Sequence, residues 1–309
     1  MPLYLREADV EELLGPADAV EAVEACFARI ARGAVDARPR LRLALERGLL
    51  HVMAAADREL GVAGSKSYVT AGSSRCPVVT LHDTGSGELV AVVEAERLGR
   101  LRTGAASAVA ARHLARPGAR TLGVIGAGQQ AETQVACIRA ALPWIEEVVV
   151  YARTRERLEE FCERVGATPA GYNRGAAEQD VVVTVTTSRD PVLRGEWLRP
   201  GALVCAVGAN RIEARELDNA TLERAAFVCC DWKEQAGLEA GDLAEPIARG
   251  VLDWLEVHEL AEVASGEVRG RAADADVIVF KSVGIAAEDL AVAHLAVGRA
   301  RERGLGTEL

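Results

Sequence analysis

The sequence predicts an α/β fold, and the part of the chain from about residue 118 onward carries that prediction. Residues 121–125 form an apolar run, glycines follow at Gly126 and Gly128, and a helical pattern resumes at Ala131. Further apolar runs and helical stretches then alternate. Strands that alternate with helices form a parallel sheet covered by helices. The preceding part of the chain has the pattern of a separate α+β domain.

The first part of the chain begins with a helical segment, ADAVEAVEACFARIARG, and continues with short β-type stretches. These stretches are RLRLALE, LLHVMAA, GSKSYVT, PVVTLHD and ELVAVVEA. The sequence DTGSG at residues 83–87 separates two apolar runs, which predicts a β-hairpin. Pro117 and Gly118, in HLARPGAR, mark the predicted domain boundary.

Beyond that boundary, the predicted strands are short apolar runs with helical segments between them. They lie at residues 121–125, 148–151, 181–187, 202–208, 226–231 and 276–284. The last segment, residues 285–303, has apolar residues at helical spacing. We expect this C-terminal helix to pack back on the first domain.

The glycines of TLGVIGAGQQAETQ predict a dinucleotide site where a strand turns directly into a helix. Free backbone N–H groups and the helix dipole at such a junction suit a pyrophosphate. Ala131 takes the third position of this GxGxxA motif, where a small residue is enough for packing. Because the motif also occurs by chance in a chain with 29 glycines, the prediction depends on the flanking elements and the second strand at 148–151. We therefore predict a Rossmann-type domain with its nucleotide at Gly126, Gly128 and Gln129.

Composition favours a globular protein that acts on a small molecule. At 309 residues the chain is long enough for two domains, and it has no apolar run near the ~18 residues of a membrane span. The net charge of −10 argues against nucleic acid or an anionic membrane as a partner. The seven cysteines lack a CxxC pair and we see no export leader, so we expect reduced thiols in a cytoplasm, no disulfide and no zinc.

The end of the second predicted strand bears on the choice of nucleotide. Folds that prefer NAD place an Asp or Glu there to accept the ribose hydroxyls. Here Arg153 and Arg155 flank Thr154, and no acid is present. The two cations favour NADP(H) through its 2′-phosphate and leave NAD(H) as the alternative. In the competing interpretation, both arginines are solvated charges opening a helix whose N-cap is Thr154.

Several longer strings carry a family resemblance. They are LGRLRTGAASAVAARHLARP followed by LGVIGAGQQA, then GEWLRPGALVCAVGAN, RELD and VFKSVGIAAEDLA. Together they resemble the ornithine cyclodeaminase/mu-crystallin family over nearly the whole chain. The resemblance implies an NAD(P)-binding Rossmann domain at residues 118–284. It also implies a substrate-binding and dimerisation domain formed by both chain ends, residues 1–117 and 285–309, and a homodimer.

The activities of this family share hydride chemistry at an α-carbon that bears nitrogen and a carboxylate. Its members include ornithine cyclodeaminase, alanine dehydrogenase, imine and ketimine reductases, and a thyroid-hormone-binding crystallin. The resemblance implies an NAD(P)H-dependent oxidoreductase acting on the C=N/CH–NH bond of an imino or amino acid. The alternatives are an ornithine cyclodeaminase, which forms L-proline and ammonia from L-ornithine with NAD recycled, and a non-catalytic nucleotide- or ligand-binding protein like mu-crystallin.

A substrate carboxylate calls for cations, and the resemblance implies three. Arg40 in ARPRLRL matches the family's arginine that grips the carboxylate, with Arg42 as the alternative if the register slips. Lys66 in GSKSYV matches an active-site lysine, and Arg102 of RTGAAS matches an arginine that faces both substrate and cofactor. Three converging cations would supply a carboxylate clamp and a proton donor.

Residue 210 departs from the family pattern. Cyclodeaminase and alanine dehydrogenase relatives have an aspartate there as acid/base, whereas this chain has Asn210 in VGANRIEARELD. Because an amide takes up no proton at neutral pH, the change favours reduction of a preformed imine, with the proton from Lys66 or water. Glu213 is the candidate substitute base. Lys66 and Asn210 are thus the predicted catalytic residues.

The other predictions concern nucleotide contacts and three tempting polar sites. The predicted nucleotide contacts are Arg102, Thr103, Gly126, Gly128, Gln129, Arg153, Thr154, Thr186, Val207 and Ser282. We interpret His82, beside Asp83 at a hairpin end, as structural or solvated, and His51, in an apolar strand pattern, as packed. The acidic sequence EAGDLAEP at residues 239–246 more often caps a helix or lines a loop than binds a metal, and we predict no metal site.

Overall fold

The structure is a computed structural model that describes residues 1–71 and 76–309. The described residues divide into two compact units, Met1–Arg102 with Gly284–Leu309 (unit 1) and Thr103–Val283 (unit 2). The chain passes from unit 1 to unit 2 after Arg102, which is earlier than the Pro117–Gly118 boundary expected from the sequence. This division lies inside a helix that is continuous from Glu96 to Leu114. A helix can pass from one unit to the next without a turn, so the proline and glycine mark only the end of that helix.

Unit 1 begins with strands and helices that follow one another closely. In chain order they are β1 (Leu3–Leu5), α1 (Glu7–Leu13), α2 (Pro16–Ala31), β2 (Val35–Ala44), β3 (Leu49–Asp57), β4 (Val62–Thr70), β5 (Val78–Asp83), β6 (Leu89–Glu94) and α3 (Glu96–Leu114). Pro16 opens α2, where its missing N–H leaves no intrahelical hydrogen bond unmade. The predicted hairpin at residues 83–87 joins β5 to β6, and the N–H of Gly87 donates to the carbonyl of Asp83 at 2.9 Å.

Unit 2 alternates strands with helices, and the chain then returns to unit 1. Its elements are β7 (Thr121–Ile125), α4 (Gln129–Ala141), β8 (Glu147–Tyr151), α5 (Arg155–Val165), β9 (Thr168–Pro169), α6 (Asn173–Ala177), β10 (Val181–Thr184), a 3₁₀ helix (Gly195–Trp197), β11 (Leu203–Ala206), α7 (Asn219–Glu223), β12 (Ala225–Cys230), α8 (Lys233–Glu239), α9 (Gly241–Ala248), β13 (Val257–Glu259), α10 (Leu260–Ala264) and β14 (Val277–Lys281). The last elements, in unit 1, are α11 (Ala286–Arg303) and β15 (Thr307–Glu308).

The described strands of unit 2 form an eight-stranded parallel sheet in the order β13-β12-β14-β11-β10-β7-β8-β9. Every residue of β10 and β11 is buried, as expected of central strands in a parallel sheet with helices on both faces. From β7 the chain runs outward to β8 and β9 and then crosses to β10 on the other side. Ligands bind outside the carboxyl ends of the strands at such a switch point. The predicted α/β fold with a Rossmann-type domain is confirmed.

The strands described in unit 1 form a seven-stranded sheet in the order β15-β1-β6-β5-β4-β3-β2. The β1–β6 pair is parallel and the other neighbours are antiparallel. Helix α11 packs on β3, β4 and β5 and against α2, in keeping with the expected return of the C-terminal helix. Met53, Val79 and Val93 are buried on the sheet and Leu290 and Val292 on α11.

Three further observations bear on the predicted class of protein. Within the part of the chain that the structure describes, no helix is both long enough and apolar enough to cross a membrane. All seven cysteines lie in that part and are free thiols. Among the same described residues, no group of three or more His, Cys, Asp or Glu side chains is placed to hold a metal ion.

Candidate active site

Lys66 lies in the middle of β4 with its side chain buried in unit 1. Its partners across the sheet are Met53 on β3 and Val79 on β5, and both are buried and apolar. A lysine is rarely buried unless its amine is paired, and only 5% of Lys66 is exposed. Its Nζ donates to Oδ1 of Asp289 on α11 at 2.8 Å. A buried ion pair therefore holds the amine against the C-terminal helix.

Arg102, on α3, reaches the same carboxylate. Its Nε donates to Oδ1 of Asp289 at 3.0 Å, and its Nη1 donates to Oε2 of Glu288 at 2.9 Å. Both acids are fully buried in the first turn of α11, where the helix dipole stabilises negative charge. One oxygen of Asp289 thus accepts hydrogen bonds from Lys66 and Arg102 together.

Arg40, on β2, completes the group that we call the cation cluster: Arg40, Lys66, Arg102, Glu288 and Asp289. Arg40 is buried, and its Nη2 donates to the carbonyl of Gly284 at 3.1 Å. Gly284 has a φ of +74°, and a Cβ atom there would lie 2.2 Å from Nη1 of Arg102. Only glycine fits at this position. The alternative arginine, Arg42, lies two residues further along β2 and is half-buried.

The protonation of Lys66 reflects these neighbours. Burial lowers the pKa of Lys66 from 10.5 to about 8, because a charged amine loses its hydration. The charge of Asp289 and its hydrogen bond raise that pKa, while the charges of Arg102 and Arg40 lower it further. An amine with a pKa near neutrality can both donate and accept a proton at ordinary pH.

Sequence reasoning gave Glu288 and Asp289 no role, although the structure places both in the cation cluster. A usable signal was present. The two acids are adjacent near the start of an otherwise largely apolar helix, in VGIAAEDLA. Acidic side chains are almost never fully buried without a cationic partner, so this pattern indicates that basic residues elsewhere in the chain face the helix.

In unit 2, the turn between β7 and α4 has the shape that a pyrophosphate requires. Gly126 has a φ of +124°, and a Cβ atom there would lie 2.5 Å from the carbonyl oxygen of Val185. Gly128 is the N-cap of α4, and a Cβ atom there would have no atom within 4 Å. Open space in front of the N–H groups that begin a helix fits a phosphate. Gln129 is the first residue of α4 and is exposed.

The two arginines after β8 differ in their contacts. Thr154 is the N-cap residue of α5, as the competing interpretation expected. Arg155 is the first residue of that helix, and its Nε lies 2.8 Å from Oε1 of Glu159, one turn further on. Arg153 is exposed in the bend before the helix and has no hydrogen bond or ion pair with any residue that the structure describes. A ligand at this position would find Arg153 available and Arg155 partly engaged.

A buried glutamate holds the loops after β10 and β11, which carry the predicted contacts Thr186 and Val207. Oε1 of Glu216 accepts the N–H of Thr186 at 2.6 Å, and Oε2 accepts the N–H of Gly208 at 2.6 Å. The hydroxyl of Thr184 also donates to Oε2, at 2.9 Å. Burial raises the pKa of Glu216. The two loops at the switch-point end of the sheet are therefore fixed to one carboxylate.

Lys281, at the end of β14, holds the loop after β11 at Ala209. Its Nζ donates to the carbonyl of Ala209 at 2.5 Å and lies 2.9 Å from Oδ2 of Asp242. Asn210 follows directly and is half-buried, whereas Glu213 is exposed. Sequence reasoning assigned no role to Glu216 or Lys281, and it expected only a capping or loop role for the acidic segment that contains Asp242.

Two other predicted nucleotide contacts lie in buried hydrogen-bond networks of unit 2. Ser282 follows β14, and its hydroxyl donates to Oδ2 of Asp231 at 3.1 Å. The carbonyl of Thr103 accepts from Nε2 of Gln134 on α4 at 3.2 Å. Both Ser282 and Thr103 are buried. The hydroxyl of Ser282 and the backbone carbonyl of Thr103 are therefore both engaged inside unit 2.

The remaining polar residues have the structural character expected of them. His51 is buried, stacks on the ring of Tyr68 with centroids 4.5 Å apart, and lies 3.1 Å from the hydroxyl of Thr70. His82 is exposed on β5. In the acidic segment 239–246, Asp242 caps backbone N–H groups and pairs with Lys281.

Comparison with known proteins gives matches over both units of the chain. The model of the ornithine cyclodeaminase/mu-crystallin family matches residues 2–304. Delta(1)-pyrroline-2-carboxylate reductase of Bacillus cereus is 38% identical over 240 residues, 75% of this chain and 73% of the relative. The structure of Thermococcus litoralis Delta(1)-pyrroline-2-carboxylate reductase with NADH and L-proline has a TM-score of 0.92 at 32% identity, over 99% of this chain and 100% of that one. An archaeal alanine dehydrogenase dimer with bound NAD has a TM-score of 0.93 at 31% identity, over 100% and 98% of the two chains.

Proposed function

This chain belongs to the ornithine cyclodeaminase/mu-crystallin family of NAD(P)-dependent enzymes acting on the C=N/CH–NH bond of imino or amino acids, and we propose that it is an imine reductase. In this proposal it reduces the C=N bond of an α-imino acid. The cation cluster is the observation that carries the proposal. Its side chains are three cations and two acids, so at neutral pH they leave one net positive charge for a substrate carboxylate.

Each residue has a defined part in this reaction. Arg40 and Arg102 hold the substrate carboxylate through charge-assisted hydrogen bonds. A reduced nicotinamide, when bound, supplies the hydride that adds to the imine carbon. Lys66 delivers the proton: an N–H bond forms at the imine nitrogen, an Nζ–H bond of the lysine breaks, and solvent reprotonates the amine. Asn210 positions the substrate by hydrogen bonds and removes no proton.

Ornithine cyclodeaminase activity is the alternative, and a non-catalytic binding protein is the second alternative. The cyclodeaminase needs a base for the nitrogen chemistry, and the amide of Asn210 does not supply one. Glu213, the candidate substitute, is exposed. These two observations favour the reductase.

The nucleotide in this proposal is NADP(H), with NAD(H) as the alternative. The turn at Gly126–Gly128 fits the pyrophosphate because it combines open space with the start of α4. Arg153 would hold the 2′-phosphate, since Arg155 already pairs with Glu159. NADH and NAD are the nucleotides bound in the two related structures, so the proposed preference for NADP(H) rests on this chain's own arginines.

We also propose that the chain forms a homodimer through the sheet of unit 1. On β2 and β4, Leu41, Leu43 and Val69 are 53%, 47% and 40% exposed. They lie on the opposite side of these strands from Arg40 and Lys66. Contiguous exposed apolar surface marks an interaction site, and the related archaeal alanine dehydrogenase is a dimer.

The predicted compartment and partners stay predictions. Seven free thiols support a reducing cytoplasm. The net charge of −10 supports a small imino or amino acid, rather than nucleic acid or a membrane, as the partner.

One assay panel separates the three functions. Cyclic imino acids, and 2-oxo acids mixed with ammonia or methylamine, are tested for NADPH and NADH consumption at the nicotinamide absorbance. A reductase consumes nucleotide in proportion to substrate. A cyclodeaminase releases ammonia from L-ornithine without net change in the nucleotide, and a binding protein does neither. Ammonia release from L-ornithine at a rate comparable to the best imine reduction would overturn the proposal.

A further inference from the structure

We infer that Asp289 is a positioning residue of this reaction: it fixes Lys66 and Arg102 relative to each other and keeps the lysine protonated, and so sets the alkaline limit of imine reduction. The inference rests on the proposed function, in which Lys66 donates the proton. It adds a residue of α11 that takes no part in the proposed steps.

The geometry supports a positioning role rather than a contact with substrate. Oδ1 of Asp289 accepts from Nζ of Lys66 at 2.8 Å and from Nε of Arg102 at 3.0 Å. Asp289 is fully buried, and Lys66 and Arg102 are 5% and 7% exposed. Because both bonds end on one oxygen, neither cation can move without losing a charge-assisted bond. The carboxylate therefore fixes the separation between the proton donor and one arm of the carboxylate clamp.

The groups around Lys66 have opposing effects on its charge. Those that are charged or titratable are Asp289 and Glu288 on α11, Arg102 on α3, Arg40 on β2, Tyr68 on β4, whose ring centroid lies 6.0 Å from Nζ, and His51 on β3, stacked on that ring. Burial and the two arginines lower the pKa of Lys66, whereas the charge of Asp289 and its hydrogen bond raise that pKa. Without Asp289, the buried amine would lose its proton at a lower pH.

The sign of the effect follows from the role of the lysine. Reduction requires protonated Lys66, so its rate falls as the pH rises through the pKa of that amine. Neutralising Asp289 removes a charge that favours the protonated form, so this fall moves to lower pH. The reverse reaction, oxidation of the amino acid, requires the free amine of Lys66. The rise of its kcat with pH should move to lower pH as well.

The test compares Asp289→Asn with a matched control, Asp57→Asn. Asp57 is also a buried aspartate of unit 1, but its carboxylate accepts from Nε of Arg29 at 2.6 Å and from the backbone N–H groups of Glu59 and Leu60 instead of from Lys66 or Arg102. We expect Asp289→Asn to move the alkaline fall of kcat for reduction down by about one to three pH units. Asp57→Asn should leave it in place. Superimposable profiles for Asp289→Asn and the wild type would overturn the inference.

A second measurement follows the protonation of Lys66 directly and does not depend on enzyme activity. The chain has three lysines, Lys66, Lys233 and Lys281, so the Cε resonances of protein labelled with ¹³C-lysine can be assigned with a Lys66→Met variant. A pH titration of the Lys66 resonance should have a lower midpoint in Asp289→Asn than in the wild type. An unchanged midpoint overturns the inference even if the enzyme is active. A shifted midpoint in a protein that reduces no imine would uphold the link between the two residues and reject the proposed function.

If Asp289→Asn does not fold, Arg40→Gln decides the question. Removing a positive charge near Lys66 should move its midpoint and the alkaline fall of kcat to higher pH, the opposite direction. Because Arg40→Gln should bind the substrate carboxylate more weakly, kcat is measured at saturating substrate, where weaker binding affects KM and not kcat. If the midpoint stays fixed or falls, the charges of the cation cluster do not set the protonation of Lys66 and the inference is rejected.

Discussion

Nζ of Lys281 lies 2.9 Å from Oδ2 of Asp242, and neither side chain has exposed surface. The same amine donates to the carbonyl of Ala209, directly before Asn210. Oδ1 of Asp242 accepts the N–H of Glu216 at 2.6 Å. A single buried ion pair thus joins the end of β14, the start of α9 and the loop that carries a predicted catalytic residue.

The first prediction is that Lys281→Met strongly destabilises the protein. Methionine fills much of the same volume but leaves the carboxylate of Asp242 buried without its cation, and such changes cost about 3–5 kcal/mol. Urea unfolding followed by circular dichroism measures the loss. Arg155→Met, which breaks only an exposed pair with Glu159, is the control and should leave the free energy of unfolding nearly unchanged. Equal stability of Lys281→Met and the wild type would show that the pair contributes little.

The second prediction is that Gly128→Val abolishes nucleotide binding. The space beside this N-cap is open, and the valine side chain would occupy the volume that the phosphates require. Titration of NADPH by fluorescence measures binding. Gly171→Val is the matched control, because Gly171 also has no atom within 4 Å of its Cβ position but lies outside the turn. An unchanged titration for Gly128→Val would show that the nucleotide binds elsewhere.

The third prediction is that Arg153→Ala weakens NADPH far more than NADH. Losing a hydrogen bond to a charged phosphate should reduce the affinity for NADPH by about ten- to a hundredfold. Arg155→Ala should have the smaller effect, since Arg155 already pairs with Glu159. Dissociation constants for both nucleotides provide the measurement. Equal wild-type constants, or tighter binding of NADH, would contradict the preference for NADP(H).

The fourth prediction is that Lys66→Met lowers the turnover of imine reduction by about 10²- to 10⁴-fold, the usual contribution of a general acid. Binding of NADPH should stay nearly intact, because Lys66 is not among the predicted nucleotide contacts. Lys233→Met, which removes a lysine that donates to the carbonyl of Trp254, should retain turnover. Near-normal turnover in Lys66→Met would identify water as the proton donor.

The fifth prediction is that Asn210→Asp does not increase imine reduction. A new negative charge would oppose the substrate carboxylate that Arg40 and Arg102 are proposed to hold, so the rate should stay level or fall. The cyclodeaminase alternative requires the opposite result, with ammonia release from L-ornithine in the wild type and more of it in Asn210→Asp. Parallel assays of imine reduction and ammonia release distinguish the two. Ammonia release from L-ornithine that increases in Asn210→Asp would favour the cyclodeaminase alternative, with Glu213 as the candidate base in the wild type.

The sequence by itself determined the fold class, most of the elements and the type of ligand. Strand β7 lies at the predicted residues 121–125, and the turn and helix after it follow the GxGxxA motif. These features depend on local periodicity and on backbone conformations that only certain residues adopt. A short segment of sequence is therefore enough to predict them. Strands β9 and β13, with two and three residues, were not predicted because they are too short to show a period.

Only the tertiary structure decided which charged residues act together. Lys66 and Asp289 are 223 positions apart, and Arg102 and Asp289 are 187 apart. No local pattern links a lysine on a strand to an acid in the first turn of the last long helix. Burial makes the link, because a charge removed from water must find a partner or lose its charge. For the same reason the ion pair of Asp242 with Lys281 and the hydrogen bonds of Glu216 became visible only in the folded chain.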